Sequence, residues 1–259
     1  MEPTVFQGNY QLVKKTALAK EIYEMIIHCP EIAKEAKPGQ FVHVKAPNFT
    51  LRRPISICGI DAEKGNLRIV FEVRGDGTAE IAQIPQGGNV DIMGPLGHGF
   101  EILEEGKKAI VVGGGIGVPP MLETASRYGE NCTAIIGFRS ASAVILEEDF
   151  AKAGCKVDLC TDDGTKGMKG YVTQDLKARL QAEKPDIIYA CGPMVMLKGV
   201  AEMAKEYGVR CQVSLEERMG CGIGACLVCA CKTKKPDGEE QYSHVCKCGP
   251  VFEAEEVVF

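Results

Sequence analysis

Residues 109–121 read AIVVGGGIGVPPM: an apolar run, a turn rich in glycine, and a segment that opens with two prolines. A short apolar run of this kind predicts a buried strand, and proline near the first helical position predicts a helix start. Glycine permits the tight turn that must join them. We therefore predict a strand, a turn and a helix over this stretch.

The same alternation extends on both sides of this stretch, from residue 107 to about residue 210. Short apolar runs read KKAIVVGGG, CTAIIGF, CKVDLCT and DIIYACGP. Between them lie PPMLETASRYG, AVILEEDFAKAG, YVTQDLKARLQAEK and MVMLKGVAEMAKEYG, whose apolar residues have helical spacing. Strands that alternate with helices predict a parallel sheet with helices on both faces.

Two turns of this region are candidate nucleotide-binding segments. Because ligands of open α/β sheets bind at the carboxyl ends of strands, both turns are expected at the same edge, near a helix N-terminus. The first turn is not the G-x-G-x-x-G fingerprint, and an ordinary Gly-Pro turn remains the alternative for the second. The candidate residues are Gly113, Gly114, Gly115 and Gly117 in the first turn, and Cys191, Gly192, Pro193 and Met194 in the second.

The first hundred residues follow a different pattern. The segments QFVHVKA, LRRPISICGI, NLRIVFEV and NVDIMGPL are short, rich in Val, Ile and Phe, and separated by Gly, Pro, Asn or Asp. Such segments predict an antiparallel barrel or sandwich. GTAEIAQI is the one predicted helix here, with Thr78 as its N-cap.

Two short motifs in this half can bind a phosphorylated cofactor. Arg53 offers a fixed fork of donors for a pyrophosphate, and the Ser56 hydroxyl can hydrogen-bond the edge of a flavin. Gly77 and Thr78 stand at a predicted helix start, where free N–H groups favour phosphate. Taken singly, each motif has an ordinary alternative: a surface arginine, or a capped turn.

Six of the thirteen cysteines lie between residues 221 and 248. Cys221, Cys226 and Cys229 give the spacing C-x4-C-x2-C, which is typical of a plant-type 2Fe–2S cluster closed by a fourth, distant cysteine. On spacing alone the fourth ligand is Cys246 or Cys248. The alternative is a zinc site, but zinc usually takes two short C-x2-C knuckles, which this segment lacks. The other seven cysteines are expected to be small core residues.

Composition excludes several classes of function. The formal net charge is −5, and no basic stripe indicates a nucleic-acid surface. No apolar run reaches the ~18 residues of a membrane span, and the first residues do not form a secretion signal. We expect a cytoplasmic protein with no nucleic-acid or membrane partner.

Together, RRPIS, the Gly-Thr turn, GGGIGVPP and CGPM resemble the ferredoxin–NADP reductase superfamily. Within it, SLEERMGCGIGACLVCACK followed by VCKCGPVF resembles the electron-transfer subunits of type B dihydroorotate dehydrogenase. The resemblance implies FAD contacts and selects Cys246 as the fourth ligand, although Cys248 stands where the family motif has Asp. The implied FAD contacts are Arg53, Pro54, Ile55, Ser56, Val70, Phe71, Glu72, Gly77 and Thr78.

The resemblance also implies a function. Electrons would come from an FMN-containing catalytic subunit that oxidises dihydroorotate, and would pass through the 2Fe–2S cluster and FAD to NAD+, in pyrimidine (UMP) biosynthesis. It further implies a heterotetramer, two copies of each subunit. The protein would contribute position and electrostatics, so no catalytic acid or base is predicted.

Three domains are predicted: an FAD-binding barrel over 1–102, an NAD-binding α/β domain over 103–210 and a 2Fe–2S domain over 211–259. One alternative function is the small subunit of an NAD(P)H–ferredoxin or sulfide oxidoreductase. Another is a non-catalytic redox-sensing or zinc-binding module. Arg139, after the second α/β strand, keeps NADP open as the nucleotide.

Overall fold

A computed structural model describes residues 4–259 as an antiparallel barrel, a parallel-sheet α/β region and a cysteine-rich C-terminal segment. This is the fold class that the sequence predicts. Three clusters of buried side chains hold it together: one fills the barrel, and the other two cover the two faces of the sheet.

The barrel is closed, with its strands in the order β1-β2-β5-β4-β3-β6 and every pair antiparallel. Closure leaves no free strand edge. Two short helices, α1 (Pro30–Glu35) and α2 (Asp76–Gln83), lie between strands. The strands are β1 (Phe6–Ala19), β2 (Ile22–His28), β3 (Phe41–Lys45), β4 (Arg52–Asp61), β5 (Asn66–Glu72) and β6 (Asn89–Leu96).

The sequence predictions miss the first two strands and misplace one cap. Strand β1 has only two buried residues, Tyr10 and Leu12, so it lacks a continuous apolar signal. Thr78 is not the N-cap of α2 but its third residue. Its hydroxyl accepts a hydrogen bond from Gly75 N (3.2 Å) and donates one to Gly75 O (2.9 Å). It still stabilises the helix start, because it satisfies backbone groups there.

The α/β region forms one sheet in the order β10-β9-β8-β7-β11-β12-β15, parallel except for the last strand. Successive strands run outward in both directions from β7, so the switch point lies between β7 and β11. Its strands are β7 (Ala109–Gly114), β8 (Cys132–Phe138), β9 (Lys156–Thr161), β10 (Met168–Lys169), β11 (Ile187–Cys191) and β12 (Arg210–Ser214). Its helices are α3 (Pro119–Ser126), α4 (Glu147–Lys152), α5 (Val172–Ala182) and α6 (Met194–Tyr207).

The cysteine-rich segment adds a hairpin, a helical turn and a sheet strand. Strands β13 (Ala230–Lys234) and β14 (Glu240–His244) pair with each other, and α7 (Val245–Cys248) follows. Strand β15 (Val251–Glu253) then pairs with β12. The predicted boundary at residue 210 therefore falls on the first residue of β12, and residues 211–259 complete the sheet. The other domain limits stay a prediction.

Among the helices of the described residues, none combines the length and apolar character that crossing a membrane requires.

Polar side chains at the seam connect the barrel to the sheet region. Arg68 Nε donates to Glu24 Oε1 (2.6 Å) within the barrel, and Arg68 Nη1 donates to Asp149 Oδ1 (2.6 Å) on α4. Glu123, on α3, accepts a hydrogen bond from Ile60 N of β4 (2.9 Å). Glu24 is almost fully buried, and its charge is compensated mainly by Arg68 and more weakly by the exposed Lys14, whose Nζ lies 3.5 Å from Glu24 Oε2.

Replacing Arg68 with Leu is expected to lower the free energy of unfolding by about 3 kcal/mol, because it leaves the buried Glu24 without its close partner. Urea denaturation followed by circular dichroism measures the change. Lys64→Met is the matched control, because its ion pair with Asp61 is exposed and should contribute nothing measurable. Equal stability of the R68L variant and the wild type would contradict the role given to this ion pair.

Candidate nucleotide and iron–sulfur site

A cavity of about 690 Å³ opens between the barrel and the carboxyl ends of the parallel strands. The barrel contributes Ile22, Glu72 and Arg74, and the sheet region contributes the remaining walls. The size suits a dinucleotide or a large part of one. Six residues predicted from sequence line it: Glu72, Gly114, Gly115, Gly117, Gly192 and Pro193.

The two glycine turns meet at the switch point between β7 and β11. A Cβ atom on Gly117 would lie 2.4 Å from the carbonyl oxygen of Cys191, so no larger residue fits between the turns. Gly115 has φ of +56°, a conformation that glycine adopts at little cost. The first turn therefore runs close to the second at the start of α3.

Three residues predicted for the nucleotide lie outside the cavity wall. Gly113 packs behind the turn, where a Cβ would come 2.8 Å from Val118 Cα. Cys191 is buried beside Ser214, and desolvation raises the pKa of its thiol, so it stays protonated. Met194 is largely exposed. Gly113 and Cys191 thus support the backbone of the turns rather than the cavity surface.

Several cavity residues were not predicted from sequence motifs. Asp162 follows strand β9, as the rule on strand carboxyl ends would have suggested, and Arg139, which the sequence indicated only as a reason to keep NADP open, follows β8. Glu216 follows β12 and also lines the cavity. The side chain of Glu216 is exposed at the cavity wall, but partial desolvation by the surrounding residues raises its pKa. The charge of Arg74 opposes this increase, and the charge of Glu72 adds to it. The other unpredicted residues include Phe138, Tyr171, Thr173 and Met196.

The two weak flavin motifs of the sequence meet in the structure. A Cβ on Gly77 would lie 2.2 Å from Nη2 of Arg53, so the guanidinium packs directly over the first turn of α2. The guanidinium carbon also lies 5.0 Å from the centre of the Phe49 ring. A cation beside free N–H groups at a helix start is a suitable seat for a pyrophosphate.

The remaining flavin candidates divide by burial. Ile55, Val70 and Phe71 are buried, so their side chains belong to the core. Pro54 is exposed and Ser56 half-buried, and β4 pairs them with His43 and Phe41 of β3. Side chains of paired residues share a face of the sheet, so Ser56 lies on the same face of the barrel wall as Phe41 and His43.

The four candidate iron ligands form two pairs of thiols. Cys229 Sγ lies 3.2 Å from Cys246 Sγ, and both residues are buried. Cys226 is hydrogen-bonded to Cys221 through its backbone amide, which donates to Cys221 Sγ (3.3 Å). In a 2Fe–2S cluster each iron takes two thiolates, so two pairs suit it better than one centre does.

Backbone amides of the loop point at these sulfurs. Cys221 Sγ accepts from Cys226 N (3.3 Å) and Ile223 N (3.5 Å), and Cys246 Sγ accepts from Gly224 N (3.2 Å). Burial disfavours the Cys221 thiolate, but the amides outweigh burial and lower its pKa to about 6. Amide donors of this kind stabilise a negatively charged iron–sulfur cluster.

The same geometry bears on zinc. Within residues 4–259, no three His, Cys, Asp or Glu side chains surround one point so as to hold a single metal ion. A structural zinc ion needs four ligands around one centre. Cys248 is exposed and Cys231 half-buried, with the pKa of the latter raised to about 11 mainly by burial.

Comparison with known proteins agrees with this site. The model for the iron–sulfur cluster binding domain of dihydroorotate dehydrogenase B matches residues 216–258. The chain is 42% identical over 258 residues to the dihydroorotate dehydrogenase B (NAD(+)) electron transfer subunit of Bacillus mycoides strain KBAB4. The match covers 96% of this chain and 98% of that protein. The chain belongs to this family. The subunit from Bacillus cereus strain B4264 matches equally well.

Solved structures share the fold. The NADH-dependent reduced ferredoxin–NADP oxidoreductase, described in connection with flavin-based electron bifurcation, aligns with a TM-score of 0.85 at 32% identity. The alignment covers 100% of this chain and 91% of that one. The ferredoxin reductase of carbazole 1,9a-dioxygenase aligns with a TM-score of 0.69 at 19% identity, over 81% of this chain and 68% of that one. The ferredoxin reductase fold predicted from sequence is confirmed.

Replacing Gly117 with Ala is expected to raise the KM for NADH at least about tenfold, because the added methyl group must push the two turns of the cavity apart. Steady-state NADH-dependent dye reduction measures the change. Gly8→Ala on β1 is the control, because its methyl group meets the Tyr10 side chain and neither residue lines the cavity. An unchanged KM in G117A would show that the turn is not part of the nucleotide site.

Proposed function

We propose that this chain is the electron-transfer subunit of an NAD-dependent dihydroorotate dehydrogenase. It carries FAD and a 2Fe–2S cluster, takes electrons from a catalytic subunit and delivers them to NAD+. The observation that carries the proposal is the joint presence of the nucleotide cavity, the Arg53–Gly77 seat and the paired thiols in a chain of this family. Bound flavin supplies the exchange between single electrons and the electron pairs of NAD.

Each cofactor has its own proposed seat. Arg53, Gly77 and Thr78 hold the phosphates of FAD, with Pro54, Ser56 and the β5 strand end at Glu72 along the flavin. The glycine turns at Gly114–Gly117 and at Gly192–Pro193 bind NAD at the cavity wall. The thiol of Cys191, buried and protonated, shapes the second turn and exchanges no proton.

We assign the cluster to Cys221, Cys226, Cys229 and Cys246. Two contacts support Cys246 as the fourth ligand. Its sulfur lies 3.2 Å from that of Cys229, and it accepts a hydrogen bond from Gly224 N. Cys248, two residues on, is exposed to solvent. It therefore replaces the family's aspartate without entering the thiol cage.

Replacing Cys246 with Ser is expected to abolish the cluster, whereas Cys248→Ser and Cys231→Ser should retain it, because only Cys246 lies against another ligand thiol. Iron and acid-labile sulfide per chain, together with the visible spectrum, provide the measurement. FAD content serves as the control for folding and should be the same in all three variants. Loss of iron from C248S with retention in C246S would reverse the assignment.

The loop around the thiols presents an apolar surface, which we call the cluster face: Ile223, Leu227, Val228 and Tyr242. All four side chains are more than half exposed, and Leu227 reaches 76%. Several large exposed apolar side chains in one segment are typical of a protein-binding surface. We propose that this face binds the catalytic subunit, because electrons from that subunit must enter this chain through the cluster.

The finer description of the partner is also a proposal. We expect an FMN-containing catalytic subunit, a heterotetramer and a location in the cytoplasm. A small subunit of an NAD(P)H–ferredoxin oxidoreductase is the second candidate, supported by the alignment at 32% identity over the whole chain. The identity to the dihydroorotate dehydrogenase subunits is higher, at 42% over nearly the same length, and favours the first.

Reconstitution with the native partner tests the function and the cluster face together. We expect dihydroorotate-dependent reduction of NAD+ only when this chain is present. Leu227→Asp should lower that rate at least about tenfold, because it places a charge in the apolar contact, while NADH-dependent dye reduction stays unchanged. Val13→Asp, an exposed apolar residue on β1, is the matched control and should leave both rates intact.

Copurification with a larger flavin and iron–sulfur protein that is inactive on dihydroorotate would favour the second candidate. Loss of dye reduction in L227D would place the defect inside this chain rather than at the interface.

A further inference from the structure

His43 is a fully buried histidine whose ring nitrogens find no hydrogen-bond partner among residues 4–259. Its exposed fraction is 0%, and within the described part of the chain neither Nδ1 nor Nε2 has a hydrogen-bond partner. Leaving a buried donor unsatisfied is energetically unfavourable, because the group has lost its hydrogen bonds to water. Such a group therefore calls for an acceptor that the polypeptide does not itself supply.

The ring lies between the cysteine loop and the strand of flavin candidates. A Cβ on Gly222 would be 2.7 Å from Nδ1 of His43, so this edge of the ring packs against the loop residue next to Cys221. On the other side, β3 pairs His43 with Pro54 of β4.

The face of β3 that carries His43 is directed toward the cysteines. Phe41, two residues before His43, shares that face and belongs to the same buried cluster as Cys229 and Cys246. The rings of Phe41 and His43 are in edge-to-face contact, with centroids 5.9 Å apart. The imidazole is therefore held firmly against the thiol side of the barrel.

The chemistry of the ring suits donation to sulfur. Burial, reinforced by Arg52, lowers the pKa of His43 to about 4, so the ring is neutral and has one N–H donor and one lone pair. A cluster with four thiolate ligands is negatively charged, and burying it requires compensating donors. The loop amides supply some of these donors, and the edge of the His43 ring lies beside the same loop.

We propose that His43 is a positioning residue for the iron–sulfur cluster. Its Nδ1–H donates to a cluster sulfur on the Cys221 side and so fixes the cysteine loop against β3 and β4. The proposal rests on the ligand set assigned above. Reduction adds negative charge to the cluster, so a donor to sulfur stabilises the reduced form and raises its potential.

Pulsed EPR of the reduced, cluster-loaded protein with 15N-labelled histidine tests the contact directly. We expect a weak nitrogen hyperfine coupling that disappears in His43→Phe. Absence of the reduced-cluster signal from the wild-type protein would contradict the assigned ligands. Presence of that signal without a nitrogen coupling would contradict the role of His43 alone. His28→Phe is the matched control, because His28 is exposed and bonded to Asn66, and it should retain the coupling.

The midpoint potential provides the second readout. We expect H43F to lower the equilibrium constant for one-electron reduction of the cluster about tenfold, a shift of about 59 mV to more negative potential. In His43→Asn the amide can donate from near the Nδ1 position, so the cluster potential of this variant should lie close to that of the wild type. The FAD potential and FAD content should stay the same. An unshifted cluster potential in H43F, or a shift of the FAD potential alone, would overturn the proposal.

Discussion

The structure depends on how a barrel and a sheet region are fixed against each other, and the central interaction is the Arg68 guanidinium. It compensates a nearly buried carboxylate inside the barrel and also reaches a carboxylate on α4. A charge pair of this kind tolerates little displacement, because separation would leave a buried charge without compensation. The candidate nucleotide cavity takes its walls from both the barrel and the sheet region, so it forms only when the two are held together.

The relative positions of the proposed FAD, NAD and iron–sulfur sites follow from the topology. The closed barrel presents β4 and the start of α2 on its outside, and the sheet presents its glycine turns at the switch point. The cysteine loop packs beside both, against β3 and the buried cluster on one face of the sheet. In the proposed electron path, the cysteine loop therefore lies beside β3 and its neighbour β4, and Glu72 at the end of β5 lines the cavity.

Local sequence predicted a large part of this arrangement and missed specific pieces. The strand–turn–helix at Gly113–Gly117 and the C-x4-C-x2-C spacing are local patterns, so they could be read directly. Strand β1 was missed because most of its residues face solvent. The meeting of Arg53 with Gly77 depends on barrel closure, which no local pattern encodes. Glu216 was missed because the cavity that it lines forms only in the folded chain, and His43 because its burial depends on contacts distant in sequence.

The pairing of β12 with β15 has a consequence for how the iron–sulfur segment assembles. Residues 215–250 leave the sheet at one strand and return at its immediate neighbour, so the whole excursion is an insertion whose two ends are already held together. The entropy of closing that loop is met by sheet formation rather than by metal binding. The cysteine-rich segment should therefore fold before iron and sulfide bind. In this it differs from small zinc modules, which fold only around their ion.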